Sequence, residues 1–192
     1  GSKLASEYQA PHGSTAEGRP LRAGREPANK QSLYTAEQRR RRDASRWTLV
    51  QGILAPVQFV VFLVSLWLVL RFLVTGDGFM AASISIVVKT LTLYTIMITG
   101  SIWEKDVFGR YLFAPAFYWE DVVSMVVLAL HTAYLCAFVF NWMTPAQQML
   151  LALLAGASYV VNAAQFLLKL RAARLEQPSS AYRSVPAVEA AE

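Results

Sequence analysis

Four apolar stretches, at roughly residues 49–74, 79–103, 120–142 and 146–170, limit what this chain can become. The hydrocarbon core of a bilayer takes about 20 helical residues at about 1.5 Å each, and each stretch reaches that length. Inside hydrocarbon every backbone N–H and C=O must be satisfied within its own segment, so a stretch of this kind becomes a helix. The expected fold class is all-α, an integral membrane bundle of four helices. Composition agrees with this. The 192 residues are 55% hydrophobic and only 16% charged, against about 25% charged in a soluble domain. The shortfall lies in the middle of the chain.

Residues 1–33 (with Pro11, Gly13, Pro20, Gly24 and Pro27) show no apolar periodicity and bury too little to offset the entropy of ordering. They read as a disordered tail, as do residues 176–192, leaving one membrane domain over 34–175. The opening residues are polar, and the first apolar stretch is too late and too long for an h-region, so no cleaved secretory signal is expected. Thr35 and Gln38 have the spacing of a capping box, and the basic run Gln38 to Arg42 is expected to form a short helix along the membrane surface. Pro56 falls in the first turns of the first span, where it can kink the helix. Thr75-Gly76-Asp77-Gly78 reads as a turn. Thr144-Pro145-Ala146-Gln147 opens the last span with an N-cap, a proline at the first helical position and a capping glutamine.

Lysine and arginine alternate along the flanks. Arg39 to Arg42 and Arg46 precede the first span, Lys105 and Arg110 lie in the second connection, and Lys169, Arg171 and Arg174 close the last span; the first and third connections have neither. The positive-inside rule then places both termini and the second connection in the cytoplasm. The net charge of +5 reflects orientation and attraction to anionic lipid, and no nucleic-acid partner is expected. Cys136 is the sole cysteine, which excludes an intrachain disulfide and any thiolate metal cluster, and it reads as a small buried hydrophobe.

An ionisable group within a span is costly and therefore a functional candidate. Lys89 lies about ten residues into the second span and His131 about eleven into the third, so both should sit near the middle of the bilayer. Lys89 fits a side chain that snorkels to the outer interface or one that lines a polar interior. His131 fits an interhelical hydrogen bond or an acid, base or ligand. Apart from His12 in the tail it is the only histidine, so any imidazole ligand to a metal or pigment must be His131.

Glu120, Ser124, Val127 and His131 recur on one face of the third span, as do Lys89, Leu93, Ile96, Gly100 and Glu104 on the second. Gln51 and Gln58 mark the first span, and Asn162, Gln165 and Lys169 the fourth. Four polar stripes imply a polar interior open to the cytoplasm, fringed by Glu104, Lys105, Asp106, Arg110, Glu120 and Asp121. Interhelical hydrogen bonding and solvated end charges would produce the same pattern, and the helix dipole alone favours Glu120 and Asp121 at a helix start. The second connection is aromatic, with Trp103, Phe108, Tyr111, Phe113, Phe117, Tyr118 and Trp119. An interfacial belt accounts for such rings. So does a platform for a planar ligand, with Lys105 or Arg110 beside it for an acidic side arm.

The stretches Leu33-Tyr34-Thr35-Ala36-Glu37-Gln38-Arg39, Trp47-Thr48-Leu49-Val50-Gln51-Gly52, Leu93-Tyr94-Thr95-Ile96-Met97, Gly100-Ser101-Ile102-Trp103-Glu104-Lys105, Leu112-Phe113-Ala114-Pro115-Ala116-Phe117, Trp119-Glu120-Asp121 and Gln165-Phe166-Leu167-Leu168-Lys169 together resemble the bacteriochlorophyllide C3-vinyl hydratase family of photosynthetic bacteria, over roughly residues 33–175. The resemblance implies a hydro-lyase of bacteriochlorophyll biosynthesis in the inner membrane. It would add water across the C3 vinyl group of chlorophyllide a or a 3-vinyl bacteriochlorophyllide to give a 1-hydroxyethyl group. Such a reaction needs an acid, a base with a positioned water and a flat pocket, and no redox cofactor. The catalytic candidates are Glu104 or Glu120 as acid and Asp121 as base or water-holder, with His131 as alternative acid or axial ligand to the substrate magnesium. Lys105 or Arg110 would meet the propionate, and Tyr118, Trp119, Lys89, Asn162 and Gln165 would contact the substrate. Further expected partners are membrane lipid, a second copy of the chain or other pigment-biosynthesis enzymes. The competing expectation is a carrier or assembly protein that binds a chlorin unchanged. A small transporter would show paired repeats or broken helices, and the sequence has neither.

Overall fold

A computed structural model describes residues 32–175 of the chain. Nearly all of both tails read as disordered lies outside the described residues. Five helices follow in order: α1 Ala36–Ala44, α2 Arg46–Thr75, α3 Phe79–Phe108, α4 Tyr118–Phe140 and α5 Pro145–Leu175. Helices α2 to α5 are long and apolar enough to cross a membrane.

Local chemistry sets the boundaries. The Thr35 hydroxyl accepts from the Gln38 amide, and the Gln38 side chain accepts from the Thr35 amide, which closes the expected capping box of α1. Thr144 and Gln147 repeat it at α5, with Pro145 at the first helical position. Gly76 at φ 76° and Gly109 at φ 80° end α2 and α3 in the left-handed region, where a side chain is disfavoured. Helix α2 runs on through Pro56.

The helices outrun the apolar stretches. The second connection was expected from residue 104, but α3 continues to Phe108 and carries Glu104, Lys105 and Asp106 in its last turns. Likewise α5 continues to Leu175. Hydropathy marks where a chain leaves lipid, whereas helical hydrogen bonding stops only at a residue that breaks it, here Gly109.

Polar side chains join the helices. Gln51 Nε2 donates to Thr99 Oγ1 at 2.6 Å and Ser85 Oγ to Ser65 Oγ at 3.2 Å, joining α2 to α3. Tyr94 and Thr132 hydroxyls meet at 2.6 Å between α3 and α4. Ser124 and Asn162 meet at 3.1 Å between α4 and α5. At one end of the bundle Tyr34, Val107 and Phe117 are buried together, with Leu33, Phe166 and Ala173 against them. Both ends of the described chain therefore lie on the same side as α1 and the α3–α4 connection. This is called the α1 end below.

The burial pattern is inverted relative to a soluble protein. Gln58, Ser83, Lys89, Glu104, Asp121, Ser124 and His131 are inside, while Leu49, Trp67, Ile98, Leu150, Val161 and Leu167 face outward. An apolar surface of that extent would aggregate in water and is what lipid requires. Within the bundle, association comes from close packing and interhelical hydrogen bonds, which is where the polar residues are.

Candidate active site

The carboxyl groups converge at the α1 end. Glu104, near the end of α3, and Asp121, in the first turn of α4, face each other across the helix contact. They are 4% and 5% exposed. Each also holds the connection folded over it. Glu104 Oε1 accepts from the Ala114 amide at 2.6 Å, and Asp121 Oδ2 accepts from the Phe113 amide at 2.8 Å. Between these amides Phe113 adopts φ 59°, a left-handed conformation disfavoured for a bulky residue, which the two carboxyl contacts secure.

Glu120 is oriented the other way, toward α5. Its Oε2 lies 2.7 Å from Lys169 Nζ, and the ammonium also sits 5.2 Å from the Phe117 ring centroid. The Glu120 carbonyl accepts from Ser124 Oγ at 2.8 Å and Asn162 Nδ2 at 2.9 Å. Asn162 therefore fixes the start of α4 against α5. Gln165, one turn along, keeps its Oε1 buried without a partner.

Tyr34 closes this end. Its ring lies 5.8 Å from that of Phe108 and 6.4 Å from that of Phe117, with the Arg42 guanidinium 4.9 Å above it. Burial raises the phenol pKa and the neighbouring Arg42 pulls it partly back. The Tyr34 hydroxyl is buried without a partner.

The remaining candidates separate into two groups. His131 is fully buried, with Nδ1 2.8 Å from the Val127 carbonyl. A carbonyl only accepts, so Nδ1 carries the hydrogen, and Nε2 has no partner. Lys89 lies nearby, inside the bundle with its ammonium 5.9 Å from the Phe62 ring centroid, and does not reach the outer interface. Val127 lies between His131 and the carboxyl cluster on α4, as Leu93 lies between Lys89 and Glu104 on α3. The structure thus brings Glu104, Glu120, Asp121, Asn162 and Gln165 together and sets Lys89 and His131 apart from them.

The aromatic connection also divides. Trp103, Phe108 and Phe117 pack edge to face around Tyr34. Phe113, Tyr118 and Trp119 form a contiguous outer surface, with centroids 5.7 and 5.5 Å apart and Trp119 69% exposed. Lys105 and Arg110 are exposed, and Lys105 Nζ lies 5.3 Å from the Tyr111 centroid. Among the described residues no cluster of histidine, cysteine and carboxylates could hold a metal.

The profile of a family described as 2-vinyl bacteriochlorophyllide hydratase matches residues 34–172, which contain every residue of the candidate site. The chain belongs to that family. Hydratase relatives of the same description occur in Rhodobacter capsulatus, 64% identical over 151 residues covering 79% of this chain and 88% of the relative, and in Cereibacter sphaeroides, 64% identical over 148 residues covering 77% and 92%. No solved structure matches the chain.

For this member of the hydratase family, three parts of the site were not apparent from residue pattern. Tyr34 stands in polar sequence, and the sole hint was an isolated Leu33-Tyr34 pair directly before a helix cap. The pairing of Lys169 with Glu120 requires the register of α5 on α4. The hold of Glu104 and Asp121 on the connection runs through backbone amides, to which side-chain patterns are blind.

Proposed function

We propose that this chain is a membrane hydro-lyase. It adds water across the vinyl group of chlorophyllide a or a 3-vinyl bacteriochlorophyllide, at the position called 2 in older ring numbering and C3 in current numbering. The product carries a 1-hydroxyethyl group. Family membership supports the reaction. The assignment of roles rests on one observation, the adjoining Glu104 and Asp121 buried beneath an aromatic connection.

In this reading a proton held between Glu104 and Asp121 passes to the terminal vinyl carbon. The carbon–carbon π bond supplies the electrons for the new C–H bond and leaves a cation on the inner carbon, spread into the macrocycle. Water attacks that carbon through oxygen, and its spare proton returns to the carboxylate just vacated. The sum is one water added and no change in redox state. Glu120, held by Lys169, supplies fixed negative charge near the developing cation. Asn162 positions Glu120 through its backbone. Gln165 offers its free Oε1 to the attacking water.

The macrocycle rests on the outer rings of Phe113, Tyr118 and Trp119, and its propionate meets Lys105 or Arg110. For the vinyl group to reach the carboxyls, the connection must release the Phe113 and Ala114 amides and lift. The α1 end faces the cytoplasm, consistent with its basic residues, in the inner membrane of a photosynthetic bacterium. A second copy or a neighbouring pigment enzyme completes the wall on the exposed side of the ring.

The test is incubation of the purified protein with 3-vinyl chlorophyllide. A blue shift in absorption together with a product heavier by one water is expected. Pigment bound by folded protein without hydrated product would indicate a carrier instead.

A further inference from the structure

We infer that the chain has a second ligand site, separate from the carboxyl cluster, which takes a carboxylate carried on an apolar body. A hollow of about 380 Å³ lies between α2 and α5, lined among others by Phe62, Ser65, Lys89, Gly156, Ala157 and Val160. Ala157 and Val160 stand on the outward face of α5, so the hollow opens sideways to lipid. Lys89 forms its charged inner wall. It is 3% exposed and forms no ion pair among the described residues. Ten residues on from Phe79 it lies about 15 Å into the bundle, near the middle of the roughly 30 Å hydrocarbon layer.

A side chain at Gly156 would close the space. A Cβ there would come 3.2 Å from the Phe62 ring and 3.9 Å from Lys89 Nζ. The glycine therefore keeps the ammonium open to the hollow. An unpaired ammonium in hydrocarbon is costly, and the hollow beside it is otherwise nearly all apolar. An anion attached to an apolar body meets both conditions.

The chemistry of the headgroup follows from depth. A phosphodiester keeps its charge and stays at the membrane surface, whereas a carboxylic acid can enter hydrocarbon in neutral form. The volume is at the small end of ligand pockets, roughly 300–1,000 Å³, and suits one acyl chain or one acidic side arm rather than an enclosed tetrapyrrole. Two sources share this chemistry, a free fatty acid of the bilayer and the propionate arm of a second pigment molecule.

The experiment uses the full chain in detergent, with palmitate and its neutral counterpart hexadecanol as probes. Wild type should bind palmitate at least about tenfold more tightly than hexadecanol, the size of a charge-assisted contact. Lys89→Met should bring palmitate down to the level of hexadecanol, and Lys89→Arg should retain part of the preference. Gly156→Leu should lose both probes while keeping its helical content and hydratase turnover, which separates this site from the proposed catalytic one. Competition of 3-vinyl chlorophyllide with palmitate, absent for its methyl ester, would assign the site to the arm of a second pigment molecule, bound apart from the one being hydrated. No competition with the preference intact would assign it to a bilayer fatty acid. Equal binding of palmitate and hexadecanol by wild type, or unchanged palmitate affinity in both Lys89→Met and Gly156→Leu, would overturn the inference.

Discussion

Replacing Glu104 by glutamine keeps an acceptor for the Ala114 amide and removes the acidic proton. The expected result is a folded protein that binds pigment and turns over about 10²–10⁴-fold more slowly, the usual contribution of a general acid. Rates within a few-fold of wild type would remove Glu104 from the chemistry. Glu104→Ala differs because it also strands a buried amide, at a cost of about 1–3 kcal/mol, seen as a lower unfolding temperature in detergent. His131 carries the opposite expectation. Its imidazole is fully buried and set apart from the carboxyl cluster. His131→Ala should therefore shift the affinity for magnesium and magnesium-free pigments by the same factor, measured by fluorescence titration. Selective loss of the magnesium form would restore the axial-ligand role. Both polar positions were visible in the sequence as members of helical stripes. Periodicity gave their faces but not whether the two stripes shared one space, because that depends on the Val127 and Leu93 side chains lying between them.

Helix ends carry the next set of consequences. Gly109 stops α3 at φ 80°, so Gly109→Ala should destabilise the fold by about 1–2 kcal/mol, read as a shift in the thermal midpoint. It should also loosen the Phe113 and Ala114 amides from their carboxyl acceptors, detected as faster exchange of those two amides. At the other end of the bundle the Thr144–Gln147 box starts α5, and Thr144→Ala should cost about 0.5–2 kcal/mol with little effect on turnover. The Thr35–Gln38 and Thr144–Gln147 boxes were fully legible in the sequence, since each depends on residues three positions apart. The extension of α3 past the apolar stretch was not, because membrane-spanning hydropathy and helical hydrogen bonding answer to different physical limits. The fate of the aromatic connection was also hidden. Trp103, Phe108 and Phe117 turned inward around Tyr34, and only a tertiary contact with a residue some seventy positions away in sequence decides that.

For the molecule as a whole, the alternation of basic and bare connections predicts that reporters fused after residue 175 and within the α3–α4 connection will report the same compartment. Labels in the turns near Asp77 and Asn141 should report the opposite one. Shared accessibility of all four positions would rule out the four-span arrangement. The bundle is lopsided. One end carries α1, the carboxyl cluster and a nine-residue connection, while the other has only short turns. Buried Leu93 and Val127 separate the carboxyls from the polar residues deeper in the bundle. Hydration consumes a water and cycles a proton, and a bilayer that stores energy as an ion gradient is harmed by any group that can trade protons with both faces. In the proposed mechanism Glu104 and Asp121, at one rim with aliphatic side chains below them, would draw and return protons on a single side. A reaction arranged in that way would run without short-circuiting the gradient.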